Sequence, residues 1–328
     1  MLTDILLIVA GAVLVLVGAD KFTDGAVGVA RRFSISELVI GLTIVAFGTS
    51  LPEFVVSFFS SINHSPDLSV GNIVGSNIFN TLMILGCTAV VAPIAVERSF
   101  VRRDIPFNIF ITLVFVGLIL DTVFSSGDAN VLSRQDGIIL LALFALFMYD
   151  ALARARHHQG ASANQEGERG VGAQQPAPQL SGLRLSCLII FGLGGLILGG
   201  EIFVKGARSF ADALGVSEAV IGLTIVACGT SLPELATSVM AAAKGSSDIA
   251  VGNVVGSNTF NILWILGCCS TISPLPAVGL TAVDYSVLVA SMLLFWLFAR
   301  TDYKITRVQG GLLLLVFLGY ITWLLMNV

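Results

Sequence analysis

The chain has 328 residues, of which 55% are hydrophobic and 12% charged, against about 25% charged in an ordinary soluble domain. Its mean hydropathy is +0.93. It lacks the polar groups needed to cover a water-soluble globule, and a lipid bilayer is the solvent it fits. Seventeen Lys and Arg against 21 Asp and Glu leave a formal charge of −4, which excludes an electrostatic nucleic-acid binder.

Apolar stretches of about 20 residues, long enough to cross roughly 30 Å of hydrocarbon, fall in order near 4–31, 36–62, 68–92, 105–124, 136–152, 183–211, 217–243, 249–273, 282–299 and 308–326. They predict an all-α membrane protein with ten transmembrane helices. The first stretch lacks a positive leader and reads on into Asp20, Lys21 and Asp24, so it is a retained span rather than a signal peptide. The second, third, seventh and eighth are interrupted by Gly, Pro, Ser, Thr and Asn. Cys87, Cys187, Cys228, Cys268 and Cys269 lie in apolar runs without metal-ligand spacing and read as small buried hydrophobes. The polar interval from Arg154 to Arg184 is rich in Gly, Ala, Gln and Pro. Such a composition cannot bury a core and predicts a flexible linker, with His157 and His158 solvated in it.

The linker separates two similar halves. Gly41–Gly86 aligns without a gap on Gly222–Gly267 at an offset of 181 residues, with 28 of 46 positions identical. Weaker echoes pair Asp20 with Glu201, Gly25 with Gly206, and Ser36-Glu37 with Ser217-Glu218. This is an internal duplication, and it divides the chain into a first five-helix repeat (1–152), a linker (153–183) and a second five-helix repeat (184–328). Five spans is an odd number, so the second copy enters the membrane from the opposite side, as inverted repeats of secondary transporters do. Thirteen of the 17 basic residues fall in alternate loops, at Arg31, Arg32, Arg98, Arg102, Arg103, Arg154, Arg156, Arg169, Arg184, Lys244, Arg300, Lys304 and Arg307. The positive-inside rule makes those loops cytoplasmic, with the linker among them, and puts both termini and the His64 loop outside.

Two carboxylates stand out. Glu53 lies in Gly48-Thr49-Ser50-Leu51-Pro52-Glu53 and Glu234 in Gly229-Thr230-Ser231-Leu232-Pro233-Glu234, both in mid-span with no Lys or Arg close in the same span. An acid at that depth costs about 2.5 kcal/mol or more on insertion scales, and a transported cation is its natural partner. Pro52 and Pro233 cannot donate to the carbonyls of Gly48 and Gly229, which predicts freed carbonyls near Ala46 and Ala227 lining the site. Thr49 and Glu53, like Thr230 and Glu234, are spaced i, i+4 and are expected on one helical face. One span later, Asn72, Ser76 and Asn80, and again Asn253, Ser257 and Asn261, recur every fourth residue as polar stripes. Asn72 and Asn253, the outermost pair, read as interhelical hydrogen-bonding residues, and Glu37 and Glu218 as first-turn helix acids. The motif offers carboxylate, hydroxyl, amide and carbonyl oxygens but no His or thiolate, a donor set for hard cations such as Ca²⁺ and Na⁺. One Ca²⁺ or two Na⁺ neutralise two carboxylates, so competition for one acidic pocket couples the ions, and protons compete for the same oxygens as pH falls.

At these motifs the chain resembles the sodium/calcium exchangers of the cation/Ca²⁺ exchanger superfamily, in their prokaryotic form; the two 46-residue segments are similar to that family's paired alpha-repeats. The resemblance implies ten helices in inverted topology, midplane ion sites, and alternating access by sliding of the first and sixth helices. It implies metal ligands at Glu53, Thr49, Ser50, the Ala46 carbonyl, Ser76 and Asn80, and at Glu234, Thr230, Ser231, the Ala227 carbonyl, Ser257 and Asn261. Some members, potassium-dependent exchangers included, carry Asp where this chain has Asn261, so K⁺ cotransport is not expected. The large calcium-sensing insert of the animal relatives is absent, which implies a prokaryotic inner membrane and no regulatory Ca²⁺ domain.

The expectation is an antiporter exchanging Ca²⁺ for Na⁺ without a cofactor and with no protein partner evident. Three Na⁺ per Ca²⁺, as the resemblance implies, would move one net charge per cycle. Ca²⁺/H⁺ exchange is the alternative within transport, and an open cation channel the alternative in kind. An enzyme is not expected, for the sequence offers no nucleophile–base pair or phosphate loop.

Overall fold

In lipid every backbone polar group must be satisfied within the chain, and the apolar stretches accordingly form helices. A computed structural model describes residues 1–62, 67–120, 130–168, 181–214, 227–277 and 279–327. Its helices are α1 (Leu2–Arg32), α2 (Glu37–Thr49), α3 (Leu51–Ile62), α4 (Ser69–Val91), α5 (Arg98–Arg102), α6 (Asp104–Ile119), α7 (Arg134–Glu168), α8 (Gly182–Ala213), α9 (Ala227–Thr230), α10 (Leu232–Ala243), α11 (Ser247–Ile272), α12 (Ala282–Arg300) and α13 (Arg307–Asn327). Among the described residues, seven helices are long and apolar enough to cross a membrane, or eight if α2 and α3, bent by 48° at Ser50, make one span. Of the two remaining predicted stretches, 105–124 is represented by the 16 residues of α6, and 217–243 is described from Ala227 onward. The interval expected to be linker begins as a continuation of α7, which is helical to Glu168. Residues 169–180, and Glu218, lie outside the described residues.

The helices sort by burial into a centre and a rim. The apolar window of α11 is 94% buried and that of α4 78%, against 17–22% for α1, α7, α8 and α13. The two helices that carry the polar stripes therefore form the middle of the molecule. The rim helices turn side chains such as Leu6, Val9, Val13, Ile190, Phe191, Leu315 and Leu318 outward, as a lipid-facing surface requires.

α1 and α8 pack antiparallel along a seam of glycines at heptad spacing, Gly11, Gly18 and Gly25 against Gly192, Gly199 and Gly206. A Cβ at Gly18 would stand 2.6 Å from the Leu196 nitrogen, and one at Gly199 2.7 Å from the Val15 nitrogen. No larger residue fits there without parting the helices. Two short antiparallel ladders tie the chain ends of the helices together: β1 (Ile94–Ala95) with β4 (Lys304–Ile305), and β2 (Val131–Leu132) with β3 (Leu275–Pro276). Each takes one strand from either half of the sequence. The hydropathy pattern gives no sign of them.

Candidate functional site

The site is built where two broken helices meet the central pair. The break between α2 and α3 falls at Ser50 (φ −81°, ψ 6°) and that between α9 and α10 at Ser231 (φ −90°, ψ 9°). Pro52 and Pro233 then stand in the first turn of α3 and α10, where a missing N–H costs nothing. This corrects two expectations from the sequence. Thr49 and Glu53 do not share one continuous helical face, because the chain bends between them. Nor is the Ala46 carbonyl freed, since it accepts from the Ser50 N–H at 3.0 Å and Thr49 Oγ1 stands 3.4 Å from it. The gain is electrostatic: Glu53 and Glu234 both fall in the first turn of a helix, where the unpaired N–H groups and the helix dipole favour negative charge.

Both carboxylates are 1% exposed and near enough to interact with each other electrostatically. Each is held by the opposite half of the sequence. Ser231 Oγ donates to Glu53 Oε1 at 2.8 Å, and Ser50 Oγ donates to Glu234 Oε1 at 3.0 Å. Thr230 lies beside Glu53 and Thr49 beside Glu234. Thr49 Oγ1 also stands 3.1 Å from the Val45 carbonyl and 3.1 Å from Asn253 Oδ1. Ser231 Oγ is 3.3 Å from Ser76 Oγ, which draws the stripe of α4 into the same cluster.

The outer members of the α4 and α11 stripes bond to neighbouring helices. Asn72 Nδ2 donates to Ser57 Oγ at 3.1 Å, and Asn253 Nδ2 to Ser238 Oγ at 2.9 Å, so this pair clasps neighbouring helices. Asn80 and Asn261 each lie one residue into a π-helical stretch, Phe79–Ile84 and Phe260–Leu266, a local widening often found at functional positions. Their side-chain nitrogens are bonded, Asn80 Nδ2 to Asn258 Oδ1 at 3.1 Å and Asn261 Nδ2 to Asn77 Oδ1 at 2.9 Å. Asn77 and Asn258 lie outside the stripes that the four-residue spacing picks out. Their signal was there, in that both repeats carry Asn three residues before the stripe's last member. Ala227 opens the described helix α9, and Ser257 is fully buried on α11.

Among the described residues, Glu53 Oε2, Glu234 Oε2, Asn80 Oδ1, Asn261 Oδ1 and Ser257 Oγ are buried without a hydrogen-bond partner. Two carboxylate and two amide oxygens left in that state cost several kcal/mol in an apolar interior. As a set of neutral and anionic oxygens they suit a hard cation and offer nothing to a soft one.

Comparison with known proteins agrees with this chemistry. The family model described as sodium/calcium exchanger protein matches residues 3–152 and 185–326. The inner membrane protein YrbG of Escherichia coli is 36% identical over 99% of this chain and 97% of its own length. The sodium/calcium exchanger MaX1 of Methanosarcina acetivorans is 30% identical over 97% of each chain. A solved structure of the sodium-calcium exchanger NCX_Mj superposes with a TM-score of 0.80 at 34% identity, covering 98% of both chains. The chain belongs to the sodium/calcium exchanger family.

Proposed function

We propose that the protein is a secondary active antiporter that exchanges Ca²⁺ for Na⁺ across a membrane by alternating access. One observation carries the reading. Glu53 and Glu234 are buried together, and their hydrogen-bonded partners are hydroxyls of the opposite half, Ser231 and Ser50. Hydroxyls orient a carboxylate but do not neutralise it, so charge balance at the site falls to the cargo. One Ca²⁺ balances two carboxylates and so do two Na⁺, while a third Na⁺ leaves the site positive. The ions therefore exclude one another by charge as well as by space. No cofactor enters this scheme.

The ligands in this reading are Glu53, Thr49, Ser50, the Ala46 carbonyl, Ser76 and Asn80, with Glu234, Thr230, Ser231, the Ala227 carbonyl, Ser257 and Asn261. The unpartnered oxygens of Glu53, Glu234, Asn80, Asn261 and Ser257 support it, and together with the hydroxyls they reach the six to eight oxygens that Ca²⁺ takes. The architecture in this reading is ten helices in two inverted repeats, 1–152 and 184–328, joined by the linker 153–183. Support comes from the antiparallel run of α1 and α8 and from contacts that repeat at the sequence offset: Gly11 meets Phe203 as Gly192 meets Phe22, and Gly18 meets Leu196 as Gly199 meets Val15. The distribution of Lys and Arg supports cytoplasmic placement of the linker, with both termini outside a prokaryotic inner membrane.

Purified protein in proteoliposomes loaded with Na⁺ and diluted into Na⁺-free medium tests the function. Uptake of radioactive Ca²⁺ is expected when the Na⁺ gradient is present and is expected to stop when it is collapsed. Uptake driven equally well by a proton gradient without Na⁺, or by neither, overturns the reading.

A further inference from the structure

An amide side chain has two faces, an oxygen that attracts a cation and an NH₂ that repels it, and nearly the same shape either way round. A site that uses amides as cation ligands must therefore hold their orientation. Asn77, Asn80, Asn258 and Asn261 are each 1% exposed, so neighbouring side chains must set it. Asn258 Oδ1 accepts from Asn80 Nδ2, and Asn77 Oδ1 accepts from Asn261 Nδ2. Both bonds run between the halves. The two accepting amides are themselves tied down: Asn258 Nδ2 donates to Thr81 Oγ1 at 2.9 Å, Thr81 Oγ1 donates to the Asn77 carbonyl at 2.9 Å, and Asn77 Nδ2 reaches the Asn258 carbonyl at 3.4 Å. The outcome is that, of these four amide oxygens, Asn80 Oδ1 and Asn261 Oδ1 have no partner among the described residues.

We infer that Asn77 and Asn258 are positioning residues for the exchange, each orienting the ligand amide of the opposite repeat so that Asn80 and Asn261 present oxygen to the ion. The inference rests on the reading of Asn80 and Asn261 as ligands. It assigns work to a layer that does not touch the ion, where substitutions at metal sites typically weaken affinity by about 10- to 100-fold. It also makes the coupling cross-repeat, Asn258 with Asn80 and Asn77 with Asn261.

The experiment is Ca²⁺ titration calorimetry on the purified full-length protein, with Na⁺-driven Ca²⁺ uptake measured in parallel. Asn258→Ala and Asn77→Ala are each expected to weaken Ca²⁺ binding about tenfold. The half-saturating Ca²⁺ of uptake should rise in step, while the maximal rate stays within about twofold. In an Asn80→Ala background, Asn258→Ala should cost nothing further, whereas in an Asn261→Ala background it should cost its full amount. Asn77→Ala should show the reverse. Asn258→Asp keeps an acceptor facing Asn80 and should bind Ca²⁺ no more weakly than the native chain, a test that survives if the alanine variant does not fold. Equal losses in both backgrounds, a loss in Asn258→Asp matching that in Asn258→Ala, or native affinity in both alanine variants overturns the inference. If Asn80→Ala and Asn261→Ala leave Ca²⁺ affinity unchanged, the ligand reading falls and this inference with it. If those two weaken binding and the cross-repeat coupling is missing, the positioning role alone is lost.

Discussion

Asp104 and the Glu53–Glu234 pair, all buried, are treated in opposite ways. Asp104, at the start of α6, is 5% exposed and is met by the Arg154 guanidinium at 2.7 Å. Arg154 also holds Asp150 at 3.0 Å, and Arg103 closes the group on Asp150. Glu53 and Glu234 are buried more deeply, yet hydroxyls are their hydrogen-bonded partners. The first arrangement carries its own compensation and joins α6 to α7. The second has hydroxyls in place of a cation among the described residues, and the proposed function leaves its charge to be balanced by the cargo. In the proposed reading, Asp104 with its resident cation belongs to the fold, as does Asp284, which caps α12 through Thr281, whereas two carboxylates buried together among hydroxyls are a place for a mobile cation.

The sharpest way to break this contrast is to neutralise the unpaired acids. Glu53→Gln combined with Glu234→Gln preserves shape and removes both charges, and Na⁺-driven Ca²⁺ uptake is expected to fall at least about 100-fold, equivalent to roughly 2.7 kcal/mol or more. The protein should remain monodisperse in size-exclusion chromatography, because relieving two unbalanced buried charges does not cost stability. Arg154→Leu does the opposite, stranding Asp104 at a cost of about 2 kcal/mol. It should lower the thermal unfolding midpoint while Ca²⁺ affinity stays within about twofold, since no ligand is touched.

Smaller effects refine the picture. Ser231→Ala removes the hydroxyl that orients Glu53 from the other half, and about 1 kcal/mol of lost orientation is roughly a fivefold weakening of Ca²⁺ binding by calorimetry. Ser50→Ala should match it on Glu234 if the two halves contribute alike. The smallest effect belongs to Lys244, which bonds Asp20 Oδ1 at 2.6 Å and Asp24 Oδ1 at 2.7 Å on α1. Burial acts to lower its pKa, but the hydrogen bonds it donates to the two aspartates outweigh it and hold the ammonium above its ordinary value. The contact is therefore intact at neutral pH and is lost as pH rises through that elevated pKa. Lys244→Gln is expected to cost less than about 1 kcal/mol, and the loss should shrink at high salt.

Much of the candidate site is legible in the sequence because duplication makes it so. Glu53 and Glu234 stand at one offset, as do Ser50 and Ser231, and Asn80 and Asn261. A single copy of Thr-Ser-Leu-Pro-Glu in an apolar span would pass for a kinked packing helix. What periodicity does not reveal is which partner each residue chooses. Ser231 bonds the glutamate of the other half, and so does Ser50, a choice made by how the halves dock rather than by local spacing. The i, i+4 argument also assumes an unbroken helix, so it misplaces Thr49 relative to Glu53 across the bend at Ser50. Asn77 escapes the same argument because it sits one residue off the Asn72–Ser76–Asn80 stripe, on a neighbouring face. The glycine seam of α1 and α8 repeats at the same offset as the motifs. Of its three pairs, Gly25 with Gly206 alone emerges when the sequence is read for weak echoes. The helix count follows from hydropathy where a span is unbroken, and the two short ladders have too few residues to leave a pattern.

In the proposed mechanism Ca²⁺ and Na⁺ contend for one pair of carboxylates. Equilibrium Ca²⁺ binding to the purified protein, titrated at increasing Na⁺, tests it most directly. The apparent Ca²⁺ dissociation constant is expected to climb with roughly the second power of Na⁺ or more steeply, and specific Ca²⁺ binding to vanish in the Glu53→Gln, Glu234→Gln variant. Ca²⁺ affinity that is indifferent to Na⁺, or that persists when both glutamates are gone, would contradict it.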